Sequence, residues 1–141
     1  LRARFIRIEN IFSREEAQVT REDGNIVVRL IGLTFGSGES NISPAHRQLL
    51  EKLYDAIETF PRSRVVVEGH TDSYGGNQAN LKLSRFRAES IGDYLSTQLG
   101  LEAFRVSSVG YGQMRPIANN ETSQGRARNR RIDIRIETQQ E

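Results

Sequence analysis

The spacing of apolar and polar positions divides the chain into short segments of different period. Near the C-terminus Ile132, Ile134 and Ile136 alternate with Arg131, Asp133, Arg135 and Glu137. A period of two predicts a strand with one buried and one wet face. Val65, Val66 and Val67 form an unbroken apolar run, the composition of a strand buried on both faces, and a strand is predicted over 64–69. Residues 18–22 and 26–33 flank Asp23-Gly24-Asn25, a hairpin signal because Asp-Gly supports positive φ at low cost. In the second arm Val27, Arg29 and Ile31 share one face and Val28 and Leu30 the other, so that arm reads as mostly buried.

Two segments have helical spacing instead. Leu49, Leu53, Ile57 and Phe60 form a stripe widened by Leu50 and Tyr54, with Ser43 as cap, Pro44 at the first helical position and Pro61 as terminator. Ala88, Ile91, Leu95 and Leu99, with Tyr94 beside them, predict a second helix over about 84–99, closed by Gly100. A short strand follows at 105–109, and 110–122 is loop-like, with two glycines, Pro116 and Asn119-Asn120. At the other end Phe5, Ile8 and Phe12 suit a helical face, while Arg4-Phe5 and Arg7-Ile8 fit an extended segment equally well. Ser13 and Glu16 make a capping-box pattern.

The order is strand, helix, strand, helix, strand, strand, with a hairpin arm ahead. It predicts an α+β fold, a β-α-β-α-β-β two-layer sandwich with a mixed sheet and both helices on one face. The helical crossover implies parallel neighbours, and the last strands are expected to pair antiparallel. Residues 1–17 read as an N-terminal extension or the end of an upstream helix, and 18–141 as the domain. The absence of Met at Leu1 suggests a fragment of a longer precursor.

Composition narrows the function classes. With 141 residues, 36% apolar and 27% charged, the chain fits one soluble domain with a real core. A net charge of +2 is a weak nucleic-acid signal despite a pI near 9.3. Tyr74 and Tyr111 are the sole candidate stacking rings near basic residues, so no nucleic-acid partner is expected. Without Cys there is neither a disulfide nor a thiolate metal site.

Catalytic patterns are missing. The histidines are His46, expected to be solvated, and His70. His70 and Asp72 share a strand face, but two ligands are too few for a usual metal site, and no third is evident. Ser73, Ser84 and Ser107 lie in no nucleophile-elbow pattern. Gly75-Gly76 is too short for a phosphate loop and lacks its Lys. No catalysis, metal or cofactor is expected.

A binding site is better supported. Asp72 is expected at the C-terminal end of a strand and Arg87 in the first turn of the following helix, both facing one rim, with Gly75, Gly76 and Asn80 folding the chain back between them. An Arg fork matches a carboxylate, a helix N-terminus favours an anion, and Asp72 offers a partner for an ammonium. Such a pair suits an amino-acid head group. A direct salt bridge between Asp72 and Arg87 that ties the loop down is an equally good reading from spacing alone. Gly125-Arg-Ala-Arg-Asn129-Arg130-Arg131 could be a phosphate patch or a structural junction, with Asn129 in a turn and one Arg tying the strand to the loop. Phe86 is expected to be buried.

Thr71-Asp72-x-x-Gly75, then Asn80-x-x-Leu83-Ser84-x-x-Arg87-Ala88-x-x-Ile91, resembles the signature of OmpA-like peptidoglycan-binding domains. Those occur in outer-membrane protein A, peptidoglycan-associated lipoproteins and flagellar stator proteins. Gly110-Tyr111-Gly112, 116–120 and the 125–132 motif resemble the family's later segments, so the likeness covers about 26–137. It implies non-covalent binding of the peptidoglycan stem peptide, with Asp72 and Arg87 holding the free ends of meso-diaminopimelate. Thr71, Phe35, Gly36, Ser37, Asn80 and Leu83 would line the site. Many relatives carry an Asp after the Phe where this chain has Gly36, so a side-chain contact is lost there or a backbone contact from 36–38 replaces it. The resemblance implies the periplasmic side of the envelope, with attachment to the outer membrane through segments outside this chain. Use of the fold as an assembly module, for instance in a homodimer, is the alternative.

Overall fold

The computed structural model describes residues 2–138; Leu1 and the last three residues of the expected 18–141 domain lie outside the description. Five strands form one sheet: β1 Ala17–Glu22, β2 Asn25–Leu30, β3 Arg64–His70, β4 Val106–Gly112 and β5 Arg131–Glu137. Four α-helices accompany them: α1 Arg2–Ile11, α2 Arg47–Glu58, α3 Asn77–Asp93 and α4 Ser123–Asn129. The sheet order is β1-β2-β5-β3-β4. β3 and β4, joined through α3, are parallel, and the other pairs are antiparallel. The α+β sandwich with a mixed sheet is therefore the fold. The last two strands are not neighbours, however: β5 inserts between β2 and β3, giving each an antiparallel partner.

The first hairpin turns on Asp23 (φ 54°) and Gly24 (φ 83°), the two positive-φ positions of a two-residue loop. Both long helices lie on one face. Leu50, Leu53 and Ile57 of α2 and Ala88 and Ile91 of α3 pack with Ile26, Val28, Val65, Val67, Ile132, Ile134 and Ile136. Ile8 of α1 and Phe12 join the same core. The Glu16 carboxylate reaches back to the Ser13 amide at 2.8 Å, as the capping pattern requires, and also takes Lys52.

Two elements differ from expectation. α3 begins at Asn77, two turns before the predicted start, so Arg87 is in mid-helix and has no helix N-terminus beside it. Those early turns bury polar residues, Asn80 and Ser84, and so carry no apolar period. The stretch expected to be loop contains the end of β4, and α4 runs from Ser123 into the 125–131 motif, capped where the Gly125 amide donates to Thr122 Oγ1 at 3.0 Å. Phe86 is exposed, with the Arg85 guanidinium 5.3 Å from its ring centre.

Nor is the second sheet face wet. Arg131 and Asp133 are buried there with Glu68 and His70. Asp133 takes Arg29 at 2.9 Å and Arg131 at 3.1 Å, and Glu68 takes Arg135 at 3.3 Å. Charges opposed across strands and roofed by their own aliphatic stems satisfy the burial that alternation alone assigns to solvent.

Candidate binding cleft

The C-terminal end of β3, the loop after β2, the side of α3 and the α4–β5 junction enclose a cleft of about 880 Å³. Asp72 and Arg87 both line it and make no bond to each other. The direct salt bridge, the alternative left open by spacing, is absent.

Asp72 is fixed from several sides. Its Oδ1 accepts the Tyr74 amide at 2.9 Å, an Asx turn that sets the carboxylate at the mouth of the loop. Its Oδ2 accepts from Arg130 Nη1 at 2.6 Å. The Thr71 hydroxyl donates to the Asp72 carbonyl, and the Thr71 amide donates to Gly112, so Thr71 holds the strand end. Asn80 is buried, and its amide nitrogen donates to the Tyr74 carbonyl and Gln113 Oε1, both at 3.0 Å. Asn80 thus ties down the loop between Asp72 and α3.

Arg87 is half-buried. Its Nε donates to the Glu39 carbonyl at 2.8 Å and its Nη2 to the Gly36 carbonyl at 3.1 Å, while Phe35 lies beneath the guanidinium at 5.0 Å. Two of five N–H donors are used, which leaves the Nη1 end open. Burial, and then the Arg130 charge, lower the Arg87 pKa from the ordinary arginine value. The Gly36 carbonyl is thus taken up by Arg87 rather than offered to the cleft. Gly36 itself does not line the cleft, whereas Phe35, Ser37, Thr71, Asn80 and Leu83 do.

Two arginines at the α4–β5 junction enter the cleft that sequence reasoning did not place there, Arg128 and Arg130. The register explains Arg130. His70 opposes Arg131, so one step further along the antiparallel pair carries Arg130 toward Asp72. Only the position of β5 beside β3 reveals this. The neighbouring residues are structural. Buried Asn129 accepts the Ile117 and Ala118 amides at 2.7 and 3.0 Å and donates to Ala118 and Asn120. Arg131 donates to the Arg115 carbonyl, tying strand to loop.

At the cleft floor His70 stacks on Tyr111 with ring centres 5.2 Å apart, and Arg115 lies over the other side of Tyr111 at 3.8 Å. Burial and the adjacent arginines push the His70 pKa down to about 4, so the imidazole is neutral. Glu68, His70 and Asp133 bring one ligand atom each within 4.8 Å of one another, and Asp72, the expected partner of His70, is not in that group. Both carboxylates of the group are committed to arginines, which makes this a salt-bridge ladder rather than an anionic cage.

A family model described as the OmpA family matches residues 34–130, a span that contains β3, α3, β4 and α4 but not β1, β2 or β5. The chain belongs to the OmpA family. It is 38% identical to the probable lipoprotein YiaD of Escherichia coli over 119 residues, 84% of this chain and 54% of that protein. It is 36% identical over 102 residues to the peptidoglycan-binding protein ArfA of Mycobacterium tuberculosis, 72% of this chain and 31% of that one. The chain therefore spans from about a third to about half of these relatives. Among solved structures it is similar to the cell wall anchor of the T6SS from Pseudomonas aeruginosa, with a TM-score of 0.82 and 27% identity over 96% of this chain and 98% of that one. Members of the OmpA family are peptidoglycan-binding and anchoring proteins, not enzymes. No helix among the described residues of this OmpA-family domain is long and apolar enough to cross a membrane.

Proposed function

We propose that this domain binds peptidoglycan non-covalently by gripping the free ammonium and carboxylate of a diaminopimelate residue between Asp72 and Arg87. Binding anchors an envelope protein to the wall from the periplasmic side, with attachment to the outer membrane supplied by other parts of that protein. One observation carries the reading: the two groups face a common cleft with their charges directed to different partners, so an amino-acid zwitterion can bridge them. The names of ArfA and of the secretion-system anchor support the choice of wall as ligand. Two charge-assisted bonds of about 1.5–3 kcal/mol each, with a few backbone bonds, give roughly micromolar affinity for a soluble fragment. A polymer with many copies converts that into firm attachment.

The test is an amide NMR titration with a diaminopimelate-containing peptide, alongside sacculus pull-down of Asp72→Ala and Arg87→Ala. Shifts at Thr71–Gly76, Phe35–Glu39 and Arg87, with loss of pull-down in both variants, are expected. Unchanged pull-down in both, or shifts confined to a remote face, would instead favour an assembly module.

A further inference from the structure

The cleft holds more positive charge than a zwitterion can use. Among the described residues five guanidiniums line it, from Arg29, Arg87, Arg128, Arg130 and Arg131, and Asp72 is the one carboxylate. Asp133 ion-pairs with both Arg29 and Arg131 from behind, its single charge shared between them. That leaves Arg87, Arg128 and Arg130 facing Asp72. Arg128 is exposed and has no ion-pair partner among the described residues. Arg87 carries no carboxylate of its own, its bonds going to two backbone carbonyls. Arg130 lies close enough to depress the Arg87 pKa by repulsion. Half of the Arg130 side chain is exposed, so it is free to change partners. The cleft is also roomy. At about 880 Å³ it matches a pocket for a drug-sized ligand, about 300–1,000 Å³, and has room for residues beside one amino-acid head group.

Resting on the wall-peptide reading above, we propose that Arg128 and Arg130 form a second anion subsite, which takes a further carboxylate of the stem peptide. Arg130 gives up Asp72 to the incoming ammonium and pairs with this second carboxylate. Each ligand charge then has an opposite partner: the ammonium Asp72, the carboxylate of the same head group Arg87, and the second carboxylate Arg130 with Arg128. A ligand that brings only the zwitterion displaces Arg130 from Asp72 and leaves it unpaired beside Arg87, which weakens binding. Specificity is therefore for an unamidated, net-anionic peptide. Two groups in a stem peptide have this chemistry, the α-carboxylate of the γ-linked glutamate before diaminopimelate and the C-terminal carboxylate after it.

The experiment uses the full chain and an N-acetylated Ala-γ-Glu-diaminopimelate-Ala tetrapeptide in three forms: unmodified, amidated at the glutamate α-carboxylate, and amidated at the C-terminus. Affinity is read by calorimetry at low salt. One amide is expected to bind on the order of tenfold more weakly than the unmodified peptide, the measure of one charge-assisted bond, and it identifies the source of the second carboxylate. Arg130→Gln should bind the unmodified peptide as weakly as the wild type binds that amide, and should no longer discriminate between them. Arg128→Gln should show a smaller loss in the same direction. Equal affinity for all three peptides would overturn the second subsite while leaving the Asp72–Arg87 grip intact. Tighter binding of all three by Arg130→Gln would reduce Arg130 to a competitor for Asp72. Failure of the folded wild type to bind any of them would remove the wall-peptide reading together with this inference.

Discussion

Arg130 Nη1 lies 2.6 Å from Asp72 Oδ2, so the acid of the cleft is held by an arginine other than Arg87. Arg87 is held by the Gly36 and Glu39 carbonyls on the opposite wall. The two groups a zwitterion would bridge are thus positioned independently, each by its own neighbours. A cleft built this way is preorganised for a ligand with separated charges, because neither group has to be pulled from the other.

Independent positioning predicts that charge alone will not replace geometry at Arg87. Arg87→Lys keeps the cation but loses the planar fork that spans two carbonyls and leaves an open end. Affinity for a diaminopimelate peptide should fall about tenfold or more, while urea stability changes by less than about 1 kcal/mol. Asp72→Asn should weaken binding about 10- to 100-fold, the loss of one charge-assisted bond. Calorimetry of both variants beside wild type checks the pair.

The close approach of α3 to the sheet predicts a backbone requirement at Gly69. A Cβ there would fall on the Ser84 carbonyl oxygen, a backbone atom that cannot swing away. Gly69→Ala should cost about 3 kcal/mol by forcing α3 off β3. Because Asp72 follows the end of β3 and Arg87 sits on α3, peptide affinity should fall with stability. Urea denaturation and titration of the same sample measure both.

Asn129 predicts a different coupling. Its side chain satisfies two part-buried amides and donates to two oxygens. Asn129→Ala leaves the Ile117 and Ala118 amides without those acceptors, at a cost of about 3 kcal/mol. Hydrogen exchange at these two amides should rise well before global unfolding. Ile117 lines the cleft, so weaker peptide binding should accompany the change.

The depressed pKa of His70 sets a pH window. Folded His70 titrates at about 4, below its ordinary value of 6.5. Between those values the unfolded chain takes up the proton and the folded chain does not, so stability falls as pH drops from 6.5 toward 4. The loss is about 3 kcal/mol at pH 4. His70→Phe keeps a ring against Tyr111 and removes the proton, and should flatten that part of the stability–pH curve. A series of urea midpoints from pH 7 to pH 4 tests it.

Local chemistry determined much of this protein from the sequence alone. Period two at Ile132, Ile134 and Ile136, helical spacing at Leu49, Leu53 and Ile57, and Asp23-Gly24 between two arms mark elements whose stability depends on near neighbours in the chain. The acid and base of the cleft were legible for the same reason, because a strand end and the helix that follows it are adjacent in sequence. The early turns of α3 were not, since their buried residues are polar and their partners, Tyr74, Gly112 and Gln113, lie in loops or at a strand end. The wet face assigned to β5 was wrong because Arg29, Glu68 and Asp133 meet only when β2, β5 and β3 are side by side. The same insertion of β5 brought Arg130 to Asp72. Pairing between residues 58 positions apart depends on strand order, and strand order is settled by where all the apolar faces can be buried together.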